Sequence, residues 1–362
     1  MSGEIRVNRK DLEGFCAKVF MKLDLSPSEA SDSAEILVSA DARGIGSHGV
    51  GRLWRYANGI KKGIMRPGGQ PVVLRETPIS LVLDAEGAMG LSLSKRTMTQ
   101  VIGKAEVSGA GFASIRNSNH YGIAGYYTEM AARKDMIGVS MTNTAALGVP
   151  TFGRSAMFGT NPIAISVPAH GGMFTLDMAT TCVTRGKIEV YDREGKSIPP
   201  GWAVNTKGAV TVDAHSLLED MLFQRGGGLL PLGGEGEQFS GYKGYGLAVL
   251  VDIMTAITSG GVFGKSVMDS EATSARVCHF FGAIRLDLFR DPEELKSDMD
   301  RLLGELSGAE PAEGASRVYY AGLKEHEAEA LSDQIGVPLS EKVAAQLSRI
   351  GEEWGVAFPF QP

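Results

Sequence analysis

The stretch FASIRNSNHYGIAGYYTEMAARKDMIGVSM, residues 112–141, contains the pattern that decides the fold class. A strand-like run at 112–115 is followed by a polar loop, a helical segment at 123–134 and a second apolar run at 137–141. Further strand-like runs lie at 79–83, 156–158, 163–167 and 174–176. Alternating strands and helices predict an α/β core, and the three consecutive short strands favour a mixed sheet over a purely parallel one.

Helical patterns occupy both ends of the chain. Asn8 is a candidate N-cap, and Ser26-Pro27-Ser28-Glu29 combines an N-cap serine, a proline at the first helical position and a capping-box glutamate. Other helical patterns lie at about 48–62, 91–107, 291–306 and 325–353, the last broken near 336–338. We therefore expect a helical subdomain, built from residues 1–74 and 325–362, around an α/β core of residues 75–324.

The composition is that of a globular protein with a weakly acidic surface. Of the 362 residues, 43% are hydrophobic and 22% charged, and 36 Lys and Arg against 42 Asp and Glu give a net charge of −6. Nucleic-acid binding needs clustered cations, so we expect no nucleic-acid partner. The most apolar window, residues 245–263, contains Asp252 and is predicted to be a buried core helix and not a membrane span.

The N-terminus, the cysteines and the glycines indicate where the protein works and how its site is built. Residues 1–10 are charged and lack the apolar segment of a signal peptide. Cys16, Cys182 and Cys278 are far apart and odd in number, which argues against disulfides or a cysteine zinc site. The 47 glycines lie in short loops, where close backbone approach suits ligand binding. We therefore expect a cytoplasmic protein with a loop-lined site.

The segment GIGSHG, residues 44–49, matches Gly-x-Gly-x-x-Gly but follows a helix, and no acidic residue lies about 20 positions later. It is therefore interpreted as a hinge between helices and not as a Rossmann loop. His48, Arg52 and Tyr56 are spaced i, i+4, i+8 on one face of the next predicted helix. This face would bind an anion such as a carboxylate, or be an ordinary solvated face. The opposite face, expected to be buried, carries Val50, Leu53, Trp54, Ala57 and Ile60.

His120 lies in the loop RNSNHYG, residues 116–122, between a predicted strand and a predicted helix. Ligand-binding groups collect in such loops, and the ordinary pKa of histidine, about 6.5, suits a general acid or base. A hydrogen-bonded structural histidine is the open alternative. The chain has no His-x-x-x-His pair, nucleophile elbow or Walker-type loop, so we expect no metal site and no serine nucleophile.

Three further polar segments resemble ligand-binding loops: residues 143–144, 158–162 and 176–181. In the last of these, Asp177 would accept a ribose hydroxyl or cap the following helix. Late in the chain, Lys243 in the glycine-rich segment 241–246 would bind a phosphate at a helix N-terminus, or lie in a flexible loop.

Taken together, these segments resemble the malate/L-lactate dehydrogenase family that lacks a Rossmann domain, whose relatives include ureidoglycolate dehydrogenase, sulfolactate dehydrogenase and a cyclic imino-acid reductase. Six matching segments occur in the family's order: DARGIGSHG (41–49), NSNHYGIA (117–124), GTNP (159–162), LDMAT (176–180), RGK (185–187) and YKGYG (242–246). The resemblance spans about residues 10–350. It implies a three-layer α/β/α core with a mixed sheet, not a Rossmann fold, and a helical subdomain from both termini.

The resemblance also implies the roles of individual residues. His120 would be the acid/base for the substrate oxygen and Arg52 would bind the substrate carboxylate, with Ser47, His48 and Tyr56 beside it. NAD or NADP would be the cofactor, and no metal is implied. The implied cofactor contacts are Tyr121, Gly122, Asn143, Thr144, Thr160, Asn161, Asp177, Met178, Ala179, Lys187, Lys243, Gly244, Gly322 and Lys324. The subdomain of both termini would form the substrate side and the contacts of a homodimer whose partner helps close the site.

The predicted function is hydride transfer between NAD(P)(H) and a 2-hydroxy or 2-oxo acid. The long loop at residues 233–241 resembles the malate-like branch of the family, so malate and oxaloacetate are the expected pair. Two departures from the family pattern are Tyr242, where many members have His, and residues 318–322, which replace a common Pro-Gly pair. The alternatives are lactate, sulfolactate, ureidoglycolate or a cyclic imine on the same scaffold, or a non-catalytic protein that binds nucleotides or carboxylates.

Overall fold

A computed structural model describes residues 4–268 and 274–360. In them, a seven-stranded sheet has the order β2-β3-β4-β10-β5-β6-β7, and two short sheets pair β1 with β11 and β8 with β9. The strands are β1 (Glu4–Val7), β2 (Val72–Glu76), β3 (Ser80–Asp84), β4 (Ala110–Ser118), β5 (Met136–Thr142), β6 (Ile163–Pro168), β7 (Met173–Met178), β8 (Ala203–Val204), β9 (Gly228–Leu229), β10 (Val277–Arg285) and β11 (Val337–Ser340). The helices are α1 (Arg9–Lys22), α2 (Pro27–Ala42), α3 (Leu53–Lys61), α4 (Gly90–Ser108), α5 (Ala124–Ala132), α6 (Arg185–Arg193), α7 (Ala214–Leu222), α8 (Gly241–Asp252), α9 (Pro292–Ser307), α10 (Leu323–Ile335) and α11 (Glu341–Trp354).

The large sheet is mixed, which confirms the predicted fold class. Strands β3 and β4 are parallel and are joined by α4, whereas the other neighbouring strands are antiparallel. This order and pairing differ from those of a doubly wound Rossmann sheet. The strand predicted at 156–158 is wrong, because that segment makes only isolated bridges, from Ser155 to Gly227 and from Phe158 to Gly148.

Helices cover both faces of the sheet and complete the three predicted layers. On one face, Ile115 and Phe281 join the main apolar cluster with side chains of α2, α4 and α5. On the other face, Phe280 and Met141 pack with Val251 of α8. Phe280 and Phe281 serve different layers because successive side chains of a strand point to opposite faces. The sheet therefore exposes its strand ends, and not its faces, to ligands.

The two ends of the chain meet in space. Strand β1 pairs with β11 from Glu4 opposite Ser340 to Val7 opposite Val337, so the helix break predicted near 336–338 is a strand. Side chains of α1, α2 and α11 belong to the same apolar cluster as the sheet. In α11, the Gln346 side chain donates to the carbonyl oxygen of Gly51 at 3.1 Å. The terminal helices thus support the segment that carries the candidate site.

Both predicted N-caps at the start of the chain are present. The Asn8 side chain accepts the N–H of Lys10 at 2.9 Å, and Ser26 and Glu29 form a reciprocal capping box at the start of α2. These side chains accept hydrogen bonds from N–H groups that have no carbonyl partner inside the helix. Local signals therefore set the beginnings of α1 and α2.

The single helix predicted over 48–62 is wrong at its start. Two 3-10 turns, Gly46–His48 and Val50–Arg52, precede α3, because the extended backbone of Gly49 (ψ −157°) interrupts the helix. Helical spacing therefore begins at Leu53, and the buried stripe of α3 includes Tyr56. Trp54 lies off this stripe and is 55% exposed, contrary to the expected burial.

The remaining part of the chain adds a small lobe and one long helix. Residues between Val183 and Leu229 have an apolar cluster of their own. The core helix predicted at 245–263 is α8 followed by a π-helical turn, Ile253–Ile257, and only part of its surface is buried. None of the helices among the described residues has the length and apolarity needed to cross a membrane.

Candidate active site

His120 lies where β4 passes into α5. Gly122 has a φ of +84°, a conformation that glycine adopts without strain, so the chain turns sharply just after His120. The first residue of α4, Gly90, packs directly on this loop: a Cβ atom there would overlap the carbonyl oxygens of Asn119 and His120. Helix ends on both sides therefore fix the loop, and the half-buried imidazole faces the edge of the sheet.

Ser47, His48 and Arg52 come from the broken turn before α3. The Asp41 carboxylate, at the end of α2, accepts the N–H of Val50 at 2.6 Å and holds the turn. Within the turn, Arg52 Nε donates to the carbonyl oxygen of Ser47 at 2.7 Å, and Ser47 Oγ lies 2.8 Å from His48 Nδ1. Three predicted site residues thus form one hydrogen-bonded unit.

Tyr56 and His48 connect this unit to His120. The Oη atom of Tyr56, whose ring is fully buried, lies 2.6 Å from His120 Nδ1. The ring of His48 stacks on that of His120, with centroids 5.4 Å apart and planes at 19°. The structure therefore brings together the catalytic residues predicted from two separate segments, although Tyr56 does so from the buried side of its helix.

The surroundings keep both imidazoles neutral at neutral pH. Burial is the main cause that lowers the pKa of His120 well below its usual value, and the neighbouring His48, Arg55 and Arg52 lower it further. Burial, with the charges of Arg52 and Arg55, lowers the pKa of His48 to about 4. Burial raises the pKa of Tyr56, so its hydroxyl stays protonated. The cluster thus offers a neutral imidazole next to a hydroxyl that both donates and accepts.

The loops expected to contact the cofactor meet at the same edge of the sheet. The N–H of Thr144 donates to Asn161 Oδ1 at 3.1 Å, and the N–H of Thr160 donates to Thr144 Oγ1 at 2.9 Å. The N–H of Thr180 donates to the carbonyl oxygen of Thr160 at 2.8 Å, which joins the LDMAT segment to these loops. Three segments that are distant in sequence therefore share one edge of the sheet with the His120 loop.

Three of the expected cofactor residues, Tyr121, Asn143 and Asn161, have buried side chains that are bound inside the protein. The Asn143 amide donates to the carbonyl oxygen of Val262 and accepts the N–H of Cys278, at 2.9 and 2.7 Å. The Asn161 amide donates to the carbonyl oxygen of Ala248 at 2.9 Å and accepts the N–H of Thr144. The buried ring of Tyr121 stacks on His279, with centroids 4.4 Å apart. None of these three side chains is available to a ligand.

A cavity of about 270 Å³ lies beside Asp177, Gly322 and Lys324. The Asp177 carboxylate accepts the N–H of Gly125, in the first turn of α5, at 2.7 Å, and Gly322 precedes the first turn of α10. The N-terminus of α5 is thus already occupied by a carboxylate, and the N-terminus of α10 is left to favour an anionic group of a nucleotide. Lys324 Nζ, 4.3 Å from the ring centre of Tyr319, adds a positive charge at the same place.

The remaining expected contacts are less closely tied to the cleft. Met178 and Ala179 continue from Asp177 and are half-buried. Lys243 is exposed in the first turn of α8, and Gly244 packs so closely on the preceding loop that a Cβ atom would overlap its backbone. Lys187 is exposed on α6, in the small lobe.

Sequence reasoning misses two side chains that support the site, Asp41 and His279. Asp41 is buried, and burial raises its pKa to about 7 although it accepts the N–H of Val50. His279 lies in β10, where the sequence pattern predicts no strand, and contacts Ser118 and Thr142. The sequence does contain a signal for His279, since it lies inside the apolar run VCHFF. A histidine in such a run indicates a buried polar group, which needs hydrogen-bond partners.

The arrangement is suited to moving a proton to or from a substrate oxygen held between His120 and Arg52. Acid–base catalysis requires a titratable group, and a guanidinium beside it anchors a carboxylate. Within residues 4–268 and 274–360, no three His, Cys, Asp or Glu side chains are placed to hold a metal ion.

Known proteins resemble the chain over its whole length. A family model described as malate/L-lactate dehydrogenase matches residues 7–348. The chain is 41% identical to the malate dehydrogenase of Pyrococcus abyssi, over 97% of this chain and 96% of that protein. It is 35% identical to the L-sulfolactate dehydrogenase of Methanocaldococcus jannaschii, over 93% and 94%. The crystal structure of malate dehydrogenase from Entamoeba histolytica superposes with a TM-score of 0.94 at 32% identity, covering 99% of this chain and 100% of that one.

Proposed function

The chain belongs to the malate/L-lactate dehydrogenase family, and from that premise we propose that it is a malate dehydrogenase that uses NAD or NADP. Its general class follows from the family: it is an oxidoreductase that acts on small hydroxy or oxo acids.

The hydrogen bond between Tyr56 and His120 supports the proposal most directly. In the oxidation direction, neutral His120 takes the proton of the substrate hydroxyl. In the reduction direction, protonated His120 returns it. To take the proton at Nε2, neutral His120 carries its hydrogen on Nδ1 and donates it to Tyr56 Oη; the protonated ring keeps the same hydrogen bond, so Tyr56 stabilises both states by accepting. This is the proton transfer that must accompany hydride transfer to or from carbon.

Two guanidinium charges, those of Arg52 and Arg55, act on His120. A guanidinium is a planar fork that binds a carboxylate through two parallel hydrogen bonds. We assign Arg52 to the carboxylate next to the reacting carbon, with Ser47 and His48 beside it. Malate is the proposed acid because the chain is similar over nearly its whole length to a malate dehydrogenase.

The sheet edge beside His120 fits a nicotinamide dinucleotide, which supplies or accepts the hydride when bound. The cavity lined by Asp177, Gly322 and Lys324 would hold one nucleotide half, because the N-terminus of α10 and the lysine suit phosphate and the Asp177 carboxylate suits a ribose hydroxyl. The other proposed contacts are Gly122, Thr144, Thr160, Met178, Ala179, Lys187, Lys243 and Gly244, with the backbone of Tyr121, Asn143 and Asn161.

A homodimer is the proposed assembly. Helix α8 and the π-helical turn after it leave Val249, Leu250, Ile253 and Ile257 exposed on one side. This apolar stripe, defined by those four residues, is the kind of surface that a second copy of the chain covers in a two-fold dimer.

The proposed location is the cytoplasm. Cys16, Cys182 and Cys278 are all free thiols, as expected in a reducing compartment.

The test is loss of the NADH or NADPH absorbance band when purified protein is mixed with oxaloacetate, pyruvate or sulfopyruvate in parallel. We expect rapid loss with oxaloacetate, and the faster of the two cofactors identifies the preferred one. If the absorbance is lost only with another oxo acid, the hydroxy form of that acid would replace malate as the proposed substrate. The proposed proton transfer would still stand. If the protein binds a cofactor in a fluorescence titration but turns over no oxo acid, ureidoglycolate or cyclic imine, the proposal that it is an enzyme would be contradicted. A non-catalytic binding protein would then be favoured.

A further inference from the structure

His279 lies in the middle of the large sheet and has no part in the proton transfer described above. Its side chain is fully buried. Its Nε2 atom is 2.9 Å from Ser118 Oγ, on β4, and its Nδ1 atom is 2.8 Å from Thr142 Oγ1, on β5. One ring in β10 therefore contacts both neighbouring strands. The bulge between Val277 and His279, where β10 slips against β4, aims the ring at Ser118.

Thr142 Oγ1 also lies 3.1 Å from the carbonyl oxygens of Asn143 and Cys278, so its hydroxyl joins the ring to the backbone beside it. In the neutral ring one nitrogen donates and the other accepts, and a hydroxyl is able to take either complementary role. Every polar atom of the ring has a partner, and the imidazole is neutral because burial lowers its pKa to about 3.

Both partners of His279 stand at the ends of strands that carry the site. Ser118 precedes the proton-transfer residue His120 by two positions, and Thr142 directly precedes the loop that contains Thr144. The ring also stacks on Tyr121, the neighbour of His120, at 4.4 Å and 4°. The His120 loop and a loop of the cofactor border are thus both attached to one rigid side chain.

Space filling alone does not account for a histidine here. A phenylalanine would fill nearly the same volume, as Phe280 and Phe281 do at the next two positions. Replacing a buried hydrogen-bonded group together with its partners by apolar groups of the same shape is often neutral for stability, so stability alone does not require a polar ring at this position. What the two ring nitrogens add is a fixed distance and orientation between β4 and β5.

We propose that His279 is a positioning residue that sets the spacing between His120 and the bound cofactor, through Ser118 on one side and Thr142 on the other. This inference rests on the proposed function, since it assigns His120 to proton transfer and the Thr144 loop to the cofactor.

The test separates the two sides of the ring. Ser118→Ala should lower kcat about 10- to 100-fold, the range for a small displacement of a catalytic group, and leave the Kd for NADH unchanged. Thr142→Val should raise the Kd for NADH about tenfold, as expected for one hydrogen bond, with a smaller change in kcat. His279→Phe should show both effects. His279→Gln, which keeps a polar atom near the position of Nε2, should recover more kcat than Phe.

Ser166→Ala is the matched control, because Ser166 Oγ is also buried and hydrogen-bonded, to Thr128 and Thr175, but lies in β6 away from both loops. It should change only the free energy of unfolding.

Unchanged kcat and Kd per folded molecule in all the His279, Ser118 and Thr142 variants would overturn the inference and leave the proposed dehydrogenase function standing. The NADH titration needs no turnover, so an unaltered Kd in Thr142→Val overturns the inference even if the oxo acid is misassigned. A wild-type protein that binds neither NADH nor NADPH would overturn the inference and the proposed function together.

Discussion

At the scale of single residues, replacing His120 should lower turnover because its imidazole is the proposed proton-transfer group. His120→Gln keeps a polar side chain but removes the group that exchanges protons near neutral pH. We expect turnover to fall about 10²–10⁴-fold, the usual contribution of a general acid or base, with the Kd for NADH unchanged in a fluorescence titration. His215→Gln, at an exposed position on α7, should behave like the wild type. Near-normal turnover of His120→Gln would remove His120 from the mechanism.

Three neutral imidazoles in the site and beneath it make the fold sensitive to acid. The pKa of His48 is lowered to about 4, that of His279 to about 3, and that of His120 well below its usual value, burial being the main cause in each case. In the unfolded chain each imidazole has a pKa of about 6.5. Below that pH the unfolded state binds protons that the folded state does not, so the free energy of unfolding falls as the pH falls.

His279→Phe removes one of these titrating groups. Between about pH 5.5 and 4.5, unfolded His279 is charged and folded His279 is still neutral, so the wild type should lose up to about 1.4 kcal/mol per pH unit more than the variant. Urea unfolding at stepped pH measures both slopes. Phe280→Leu, which changes the next buried side chain of β10 and removes no titratable group, should keep the wild-type slope. Parallel slopes for the wild type and His279→Phe would show that this ring is not held neutral.

At the scale of elements, the start of α4 and the His120 loop act as one packed unit. A Cβ atom on Gly90 would overlap the backbone oxygens of Asn119 and His120, whereas none of the described atoms lies within 4 Å of a Cβ on Gly103 in the same helix. Gly90→Ala should therefore cost about 1–3 kcal/mol of unfolding free energy and lower kcat, because the loop must move. Gly103→Ala should stabilise the protein by about 0.5–1 kcal/mol at unchanged kcat. Equal effects of the two substitutions on kcat would contradict this role of Gly90.

Elements with local signals are predictable from sequence, and elements built by distant contacts are not. The caps at Asn8 and Ser26 mark α1 and α2 correctly, because capping depends on neighbouring residues alone. Strand β10 escapes prediction, since it is buried on both faces and so lacks alternation, and it enters between β4 and β5 from far along the chain. The break at Gly49 escapes too, because Asp41 imposes it by holding the N–H of Val50.

At the scale of the whole molecule, the apolar stripe on α8 and the π-helical turn predicts the assembly. The wild type should sediment at twice the chain mass of 38.4 kDa. Ile253→Glu combined with Ile257→Glu places two charges in the stripe and should yield a folded monomer, since burying unpaired charges is strongly unfavourable. Val107→Glu, at an exposed apolar position in α4, should remain dimeric. A monomeric wild type, or a double variant that still dimerises, would contradict an interface at this stripe.

How the candidate site assembles also belongs to this scale. Tyr56 and His120 are 64 positions apart, and no local pattern places one ring against the other. The family resemblance supplies their roles, while the spacing of His48, Arg52 and Tyr56 indicates only a shared face of a helix that proves to be interrupted. The division into residues 1–74 with 325–362 and residues 75–324 stays a prediction, although the site does take Ser47 to Tyr56 from the first part and His120 from the second.

The pairing of β1 with β11 ties the beginning of the protein to its end: Arg6 donates to the carbonyl oxygen of Gly336, 330 positions away, and Gln346 of α11 supports the turn next to Arg52. A ribosome must therefore translate past residue 340 before β1 can pair with β11. Until then the nascent chain carries the turn before α3 without its support from α11, and it has an open strand edge for chaperones to shield. Translation that stops shortly before residue 337 would thus release a chain whose sheet is complete but whose carboxylate-binding turn is unsupported.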